Sequence, residues 1–147
     1  MKVAYIVFAF AMGLLVPFQA IINSRLSTLI QSNISAALIS FTGGFLVFLT
    51  LNLLLPIPFP SPSKLLSLPP YVLIGGLIGS VFVLSAIMIV PKLGSMGFVA
   101  LIVTGQLVMS LTMDHFGILG LPVNSINPMR VLGALLLLGG AGLILKY

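Results

Sequence analysis

The residues that could do chemistry in this chain are polar side chains at helical spacing within apolar runs. Gln19 and Asn23 are four residues apart, so a helix places both on one face, one turn apart. Gln106, Ser110 and Asp114 follow one another at the same spacing and predict a polar stripe along another helix. Amides and hydroxyls bind through hydrogen bonds, so this pattern indicates ligand binding or helix contacts.

The residue inventory excludes several functional classes. The 147 residues include one acidic residue, one His and no Cys, whereas a catalytic triad or a metal site needs several such groups together. We therefore predict no enzyme activity, no metal site and no cofactor. The six cations occur singly along the chain rather than in a cluster, so we also predict no nucleic-acid partner.

The elements that carry these polar residues are membrane helices. The chain is 60% apolar and only 5% charged, whereas soluble domains are about 25% charged. About 20 apolar residues in a helix cross the bilayer, and charges and prolines divide this sequence into five such segments. The sequence therefore predicts an all-α polytopic membrane protein with one transmembrane domain, residues 1–147, and with the lipid bilayer as a partner. The predicted helices span about residues 3–22, 34–55, 71–90, 95–113 and 129–146.

Lys and Arg residues normally set the orientation of such a bundle. Five helices place the termini on opposite sides of the membrane, with three cations on each side. One side has Lys2, Lys64 and Arg130, and the other has Arg25, Lys92 and Lys146. Two interpretations remain open: either other features fix the orientation, or copies insert both ways and pair antiparallel.

Short motifs distributed along nearly the whole chain resemble one known family. They are residues 19–26 (QAIINSRL), 40–44 (SFTGG), 75–79 (GGLIG), 91–94 (PKLG), 105–107 (GQL) and 114–117 (DHFG), followed by Arg130 and Gly133. In order and spacing the chain resembles the half-length, five-helix members of the YdcZ-like family in the drug/metabolite transporter superfamily. The resemblance implies one half of a ten-helix inverted-repeat transporter in the inner (cytoplasmic) membrane of a prokaryote. It also implies an antiparallel homodimer or an oppositely oriented paralogous chain as partner, but it does not supply a substrate.

Two roles are open for the polar residues within the predicted helices. They either line a substrate path or form hydrogen bonds that hold helices together. The larger amides Gln19 and Gln106 favour the path, whereas Ser40 and Ser110 favour the structural role. The candidate path residues are Gln19, Asn23, Ser40, Gln106 and Ser110.

Asp114 and Arg130 are predicted to pair. Asp114 ends the fourth helix and Arg130 begins the fifth, where the helix dipoles disfavour each charge. A salt bridge relieves both, and we favour it over a proton relay. Because no acid lies in the middle of a span, a cationic substrate would have no counter-ion there, and we expect a neutral or zwitterionic small molecule.

Glycines predict where helices approach closely. Gly75 and Gly79 form a small-xxx-small pair, and Gly133 and Gly140 share a face of the otherwise apolar fifth helix. We predict that the first four helices line the path and that the fifth lies at the periphery.

The predicted function is transport of a small molecule by alternating access in an antiparallel dimer. A small-anion channel is the main alternative, since amides and few acids suit anions. A non-transporting accessory membrane subunit is the second alternative.

Labelling of single cysteines tests the predicted dual topology. The chain has no Cys, so one Cys beside Lys2, and separately one beside Tyr147, gives a unique site for a membrane-impermeant maleimide. Because the cations are balanced, we expect each site to be labelled from both sides of the membrane in similar amounts. Labelling of each site from one side alone would rule out the antiparallel homodimer.

Overall fold

A computed structural model describes residues 2–147, and the described part of the chain is all-α. Its helices are α1 (Lys2–Ile30), α2 (Asn33–Leu54), α3 (Pro62–Leu66), α4 (Gly75–Phe116) and α5 (Pro128–Lys146), with 3-10 turns at Pro70–Leu73 and Ile118–Gly120. The chain divides into two compact units, Met1–Met88 and Ile89–Tyr147. The boundary lies within α4, and each unit is described by itself.

Four of these helices are long and apolar enough to cross a membrane, namely α1, α2, α4 and α5. Their large apolar side chains are mostly exposed within the chain; Phe8 of α1, Phe48 of α2 and Leu136 of α5 are 64%, 75% and 68% exposed, respectively. Apolar surface on this scale is stable only against lipid or another apolar partner. The protein is therefore a membrane protein, as its composition predicts.

The structure differs from the prediction of five separate helices between residues 71 and 116. The element α4 covers both predicted helices, 71–90 and 95–113, and consists of two helical parts joined at a kink at Gly94 (φ 72°, ψ 162°). The proline at position 91 lies inside α4 and does not end it. Glycine alone tolerates the Gly94 conformation readily, so the departure from helix takes one residue instead of the predicted four-residue turn.

The first helix is also longer than predicted. Helix α1 ends at Ile30, not at residue 22, and its 29 residues rise about 43 Å, more than the roughly 30 Å hydrocarbon core. The apolar run in the sequence indicates only the part of the helix that lipid can surround. Residues 23–28, which are polar except for Leu26, continue the same helix beyond it.

Helices α1 and α2 form a hairpin with a two-residue connection. Gln31 adopts a left-handed conformation (φ 55°), and the Ser32 N–H donates to the Ser27 carbonyl at 3.2 Å. This bond from the second residue after the helix back to its last turn is the Schellman arrangement. The Ser32 side chain then caps α2 by accepting from the Ser35 N–H at 3.2 Å. Two residues thus end one membrane helix and start the next.

The core of the first unit is small and lies between α2 and the beginning of α4. Ala36 of α2 is fully buried and packs with Val83 and Ile87 of α4, with Leu26 and Phe82 against them. The small side chain at position 36 permits this close packing. In the second unit Phe98 is 2% exposed, and Leu145 of α5 lies 3.1 Å from the position that a Cβ on Gly97 would take. A Cβ at position 97 would therefore require the end of the Leu145 side chain to move by a few tenths of an ångström.

Substitution of Gly94 tests the single-residue departure from helix in α4. Gly94→Ala should lower the free energy of unfolding by about 1–3 kcal/mol, because alanine is strained at this φ and ψ. The measurement is thermal unfolding in detergent. Gly105→Ala is the control: Gly105 is also in α4 and a Cβ there meets nothing within 4 Å, so stability should be unchanged or rise by up to about 1 kcal/mol. Equal effects of the two substitutions would contradict the Gly94 conformation.

Candidate functional site

The first unit contains a narrow crevice that holds two of the predicted path residues. It is too narrow to admit a water molecule. Its lining comes from α1 and from the beginning of α4, and consists of Val16, Gln19, Ala20, Asn23, Phe82, Val83 and Ala86. The structure therefore places Gln19 and Asn23 together, one helical turn apart, on the face of α1 that meets α4.

Asn23 is the more enclosed of the two amides. It is 6% exposed, whereas Gln19 lies exposed at the edge of the crevice. No residue in the range 2–147 forms a hydrogen bond with the Asn23 side chain. The Asn23 amide therefore retains hydrogen-bonding capacity that a bound group could use.

The polar face of α1 continues beyond the residues that the sequence singled out. Ser24 and Ser27 are also buried, and the Ser27 hydroxyl donates to Oδ1 of Asn33 at the start of α2. We missed these serines because the predicted helix ended at residue 22. The spacing of Gln19, Asn23 and Ser27, four residues at each step, was the signal that could have found them.

Two further predicted path residues lie apart from the polar sites of their own units. Ser40 of α2 is half-buried in the first unit and does not line the crevice. Gln106 of α4 is exposed in the second unit. Their role in a path remains a prediction.

The second unit has a groove between the C-terminal part of α4 and the first half of α5. Its volume is about 360 Å³, which lies within the range of small-molecule pockets. Leucines form its apolar walls and an ion pair lies at one end. The lining consists of Leu107, Ser110, Leu111, Asp114, Arg130, Gly133, Ala134 and Leu137. We call this feature the α4–α5 groove.

The ion pair at the end of the groove joins the two predicted partners. Nη2 of Arg130 lies 2.7 Å from Oδ2 of Asp114, and the side chains are 30% and 34% exposed. Arg130 also donates from Nη1 to the Asn124 carbonyl at 2.9 Å, while the Asn124 N–H donates to the Asp114 carbonyl at 2.8 Å. The pair thus holds the α4–α5 connection against both helix ends.

His115 has a second contact with the same connection. Its Nδ1 accepts a hydrogen bond from the Ile126 N–H at 3.2 Å. A backbone N–H only donates, so Nδ1 is the acceptor in this bond. The Asn127 side chain then caps α5 by accepting from the Arg130 N–H at 2.9 Å. These bonds give His115 a structural role at the helix end.

The glycines predicted to pack helices differ in their surroundings. A Cβ on Gly79 would lie 3.6 Å from the Phe41 ring of α2, an ordinary contact between helices of the first unit. A Cβ on Gly75, Gly133 or Gly140 would meet nothing within 4 Å. Gly133 lies in the wall of the α4–α5 groove, so that wall is open. Packing at Gly133 and Gly140 remains a prediction about a partner.

The chemistry available at these two places is binding. Across residues 2–147 no group of three or more His, Cys, Asp or Glu side chains is positioned to hold a metal ion. The crevice offers amides, and the groove offers one cation, one anion and a hydroxyl beside apolar walls. Such groups orient a small molecule or a lipid and do not activate a nucleophile.

Comparison with known families gives a match over most of the chain. A family model, DMT_YdcZ, described as "Putative inner membrane exporter, YdcZ", matches residues 4–143. No curated protein and no solved structure matches the chain.

A double-mutant cycle tests the ion pair. Asp114→Asn, Arg130→Gln and the double variant should give a coupling free energy of about 1 kcal/mol, since partly exposed pairs at 2.7 Å fall at the upper end of the range for surface salt bridges. The measurement is thermal unfolding in detergent. Lys92→Gln, which changes an exposed cation that forms no ion pair with any described residue, should leave stability unchanged. A coupling energy of zero would mean that the two charges act independently.

Proposed function

The chain belongs to the DMT_YdcZ family of inner membrane exporters, and we propose that it exports a small neutral or zwitterionic organic molecule by alternating access. The export function and the inner membrane location follow from the family. The chemical class of the substrate, the assembly and the path are our proposals.

The substrate proposal rests on the ion pair formed by Asp114, the only acidic side chain in the sequence. Asp114 lies two residues from the end of α4 and is paired with Arg130 at 2.7 Å. A cationic substrate at the bilayer centre needs a nearby anion, because an unpaired charge is costly in hydrocarbon. The sequence has no other acid, so neutral molecules, or zwitterions that carry their own counter-charge, fit better.

The length of α4 supports five membrane passes. Gly94 divides its 42 residues into parts of 19 and 22 residues, each about long enough to cross the hydrocarbon core. We propose that the chain crosses the membrane once before Gly94 and once after it. The termini then lie on opposite sides, with three cations at each face.

Balanced charge and an open fifth helix support a dimer. In α5 only Ala141 is buried, and Gly140, outside the α4–α5 groove, has open space beside it. We propose that α5 contacts a second, oppositely oriented copy or a paralogous chain. Five helices from each chain then form the inverted arrangement of many transporters.

We propose that the path is lined by the polar residues of both units. These are Gln19, Asn23, Ser40, Gln106 and Ser110. The buried, unpartnered amide of Asn23 supports this most directly, because opening of the crevice during a transport cycle would expose it to substrate.

Counterflow in proteoliposomes tests the substrate class. Purified protein is assayed with radiolabelled zwitterionic amino acids and neutral sugars, with tetraphenylphosphonium as a cation and with nitrate as an anion. We expect saturable counterflow for at least one zwitterionic or neutral compound. Proton-driven, saturable transport of tetraphenylphosphonium would overturn the proposed substrate class. A large nitrate current would indicate an anion channel, and no flux of any probe would favour an accessory subunit.

Asn23→Ala tests the path with the compound found to exchange. Because the amide has no other described partner, its loss should reduce counterflow at least tenfold with little effect on unfolding temperature. Ser80→Ala is the control: the exposed Ser80 hydroxyl donates only to the Gly76 carbonyl of its own helix, so transport should be unchanged. Full activity of Asn23→Ala would remove Asn23 from the path.

A further inference from the structure

We propose that the α4–α5 groove is a binding site for a membrane lipid whose headgroup carries a primary ammonium and a phosphate. The ion pair would bind the headgroup and the leucine walls would hold part of an acyl chain. This inference concerns lipid binding alone, and it stands or falls separately from the proposed transport.

The ion pair has hydrogen-bonding capacity that the protein leaves unused. Arg130 uses two of the five N–H donors of a guanidinium, one to Asp114 and one to the Asn124 carbonyl. Asp114 accepts through Oδ2, and no described residue donates to its Oδ1. Both side chains line the groove and are about one-third exposed. A ligand can therefore reach both charges at once.

The charges are complementary to a zwitterion in which the two groups are close together. A phosphate accepts charge-assisted hydrogen bonds from the free Arg130 N–H groups. A primary ammonium donates to Asp114 Oδ1. The Ser110 hydroxyl, one turn from Asp114, lies in the same wall and can contact either group. A quaternary ammonium has no N–H to donate, and a headgroup with only a phosphate leaves Asp114 without a partner and repels it.

The apolar part of the groove extends from the headgroup level towards the hydrocarbon. Asp114 is near the C-terminal end of α4 and Arg130 is the third residue of α5. Leu107 and Leu137 each lie seven residues from those charges along their helices, which is about 10 Å of helical rise. One end of the groove is therefore charged and the other lies where acyl chains are found.

The wall formed by α5 leaves room for such a chain. Gly133 and Ala134 supply small side chains one turn beyond Arg130, and a Cβ added at Gly133 would meet nothing within 4 Å. The open volume of about 360 Å³ lies beside them. A larger residue at position 133 would fill part of this space.

Native mass spectrometry on the purified full-length protein tests the proposal. The protein is titrated with phosphatidylethanolamine, phosphatidylcholine and phosphatidylglycerol of identical acyl chains. We expect phosphatidylethanolamine to bind at least tenfold more tightly than either of the others. Equal affinity for all three would mean ordinary surrounding lipid, and tightest binding of phosphatidylglycerol would mean a simple phosphate contact with Arg130; either result overturns the proposal.

Two variants test the groove by changing different features of it. Asp114→Asn removes the acceptor charge, and Gly133→Leu fills the groove while retaining both charged residues and strengthening helix propensity. Each should lower the affinity for phosphatidylethanolamine at least fivefold, and Lys92→Gln, outside the groove, should not change it. Because Gly133→Leu does not depend on the stability of the ion pair, unchanged lipid binding in that variant would reject the groove as the site.

Discussion

A bilayer contains no water in its core, and the described structure follows from that constraint. Every backbone polar group within the hydrocarbon must be satisfied by the chain itself, which leaves helices as the usable element for these apolar segments. The same constraint explains why large side chains such as Phe48 and Leu136 can stay exposed, since lipid rather than water surrounds them. It also explains why the buried core is small. Ala36, Val83 and Ile87 need only fit closely, because no hydrophobic driving force acts between helices in lipid.

The constraint also fixes where charge and hydrogen-bonding groups can lie. The carboxylate and the guanidinium of the Asp114–Arg130 pair occupy helix ends, and the chain between them is held by bonds to Asn124 and Ile126. Within the first unit the polar face of α1 is turned inward, where Asn23 and Ser27 are buried. The polar groups at the helix ends thus hold the α4–α5 connection, whereas the Asn23 amide in the crevice has no bond to a described residue. This contrast underlies our assignment of structural roles to the helix ends and of transport roles to the crevice.

Much of this architecture can be predicted from the sequence, but the lengths of the helices cannot. Apolar composition predicts the membrane class, and the spacing of Gln19 and Asn23 predicts their common face. The end of α1 was wrong by eight residues, because hydropathy reports lipid contact while the helix continues through Ser24 and Ser27. The break predicted at 91–94 is narrower in the structure, since proline at 91 is tolerated within α4 and only Gly94 departs from helix. Neither feature changes hydropathy, so an apolar pattern cannot report it.

The candidate sites were predictable only in part. The tendency of opposite charges at helix ends to pair made Asp114 and Arg130 a plausible pair from sequence, and the structure places them 2.7 Å apart. The α4–α5 groove was not predictable, because it depends on which face of α5 meets α4. Gly133 and Gly140 have the same residue type and share a face of the helix, yet only Gly133 lines the groove. The spacing of residues along a helix defines which side chains share a face. Whether that face lines a cavity depends on the helix that packs opposite it.

The two-residue connection between α1 and α2 has a consequence for how the protein is made. Because only Gln31 and Ser32 separate them, α1 and α2 must lie side by side in the membrane. Arg25 and the hairpin tip therefore lie towards the same side of the membrane. The direction in which α1 crosses the membrane during synthesis also fixes the direction of α2.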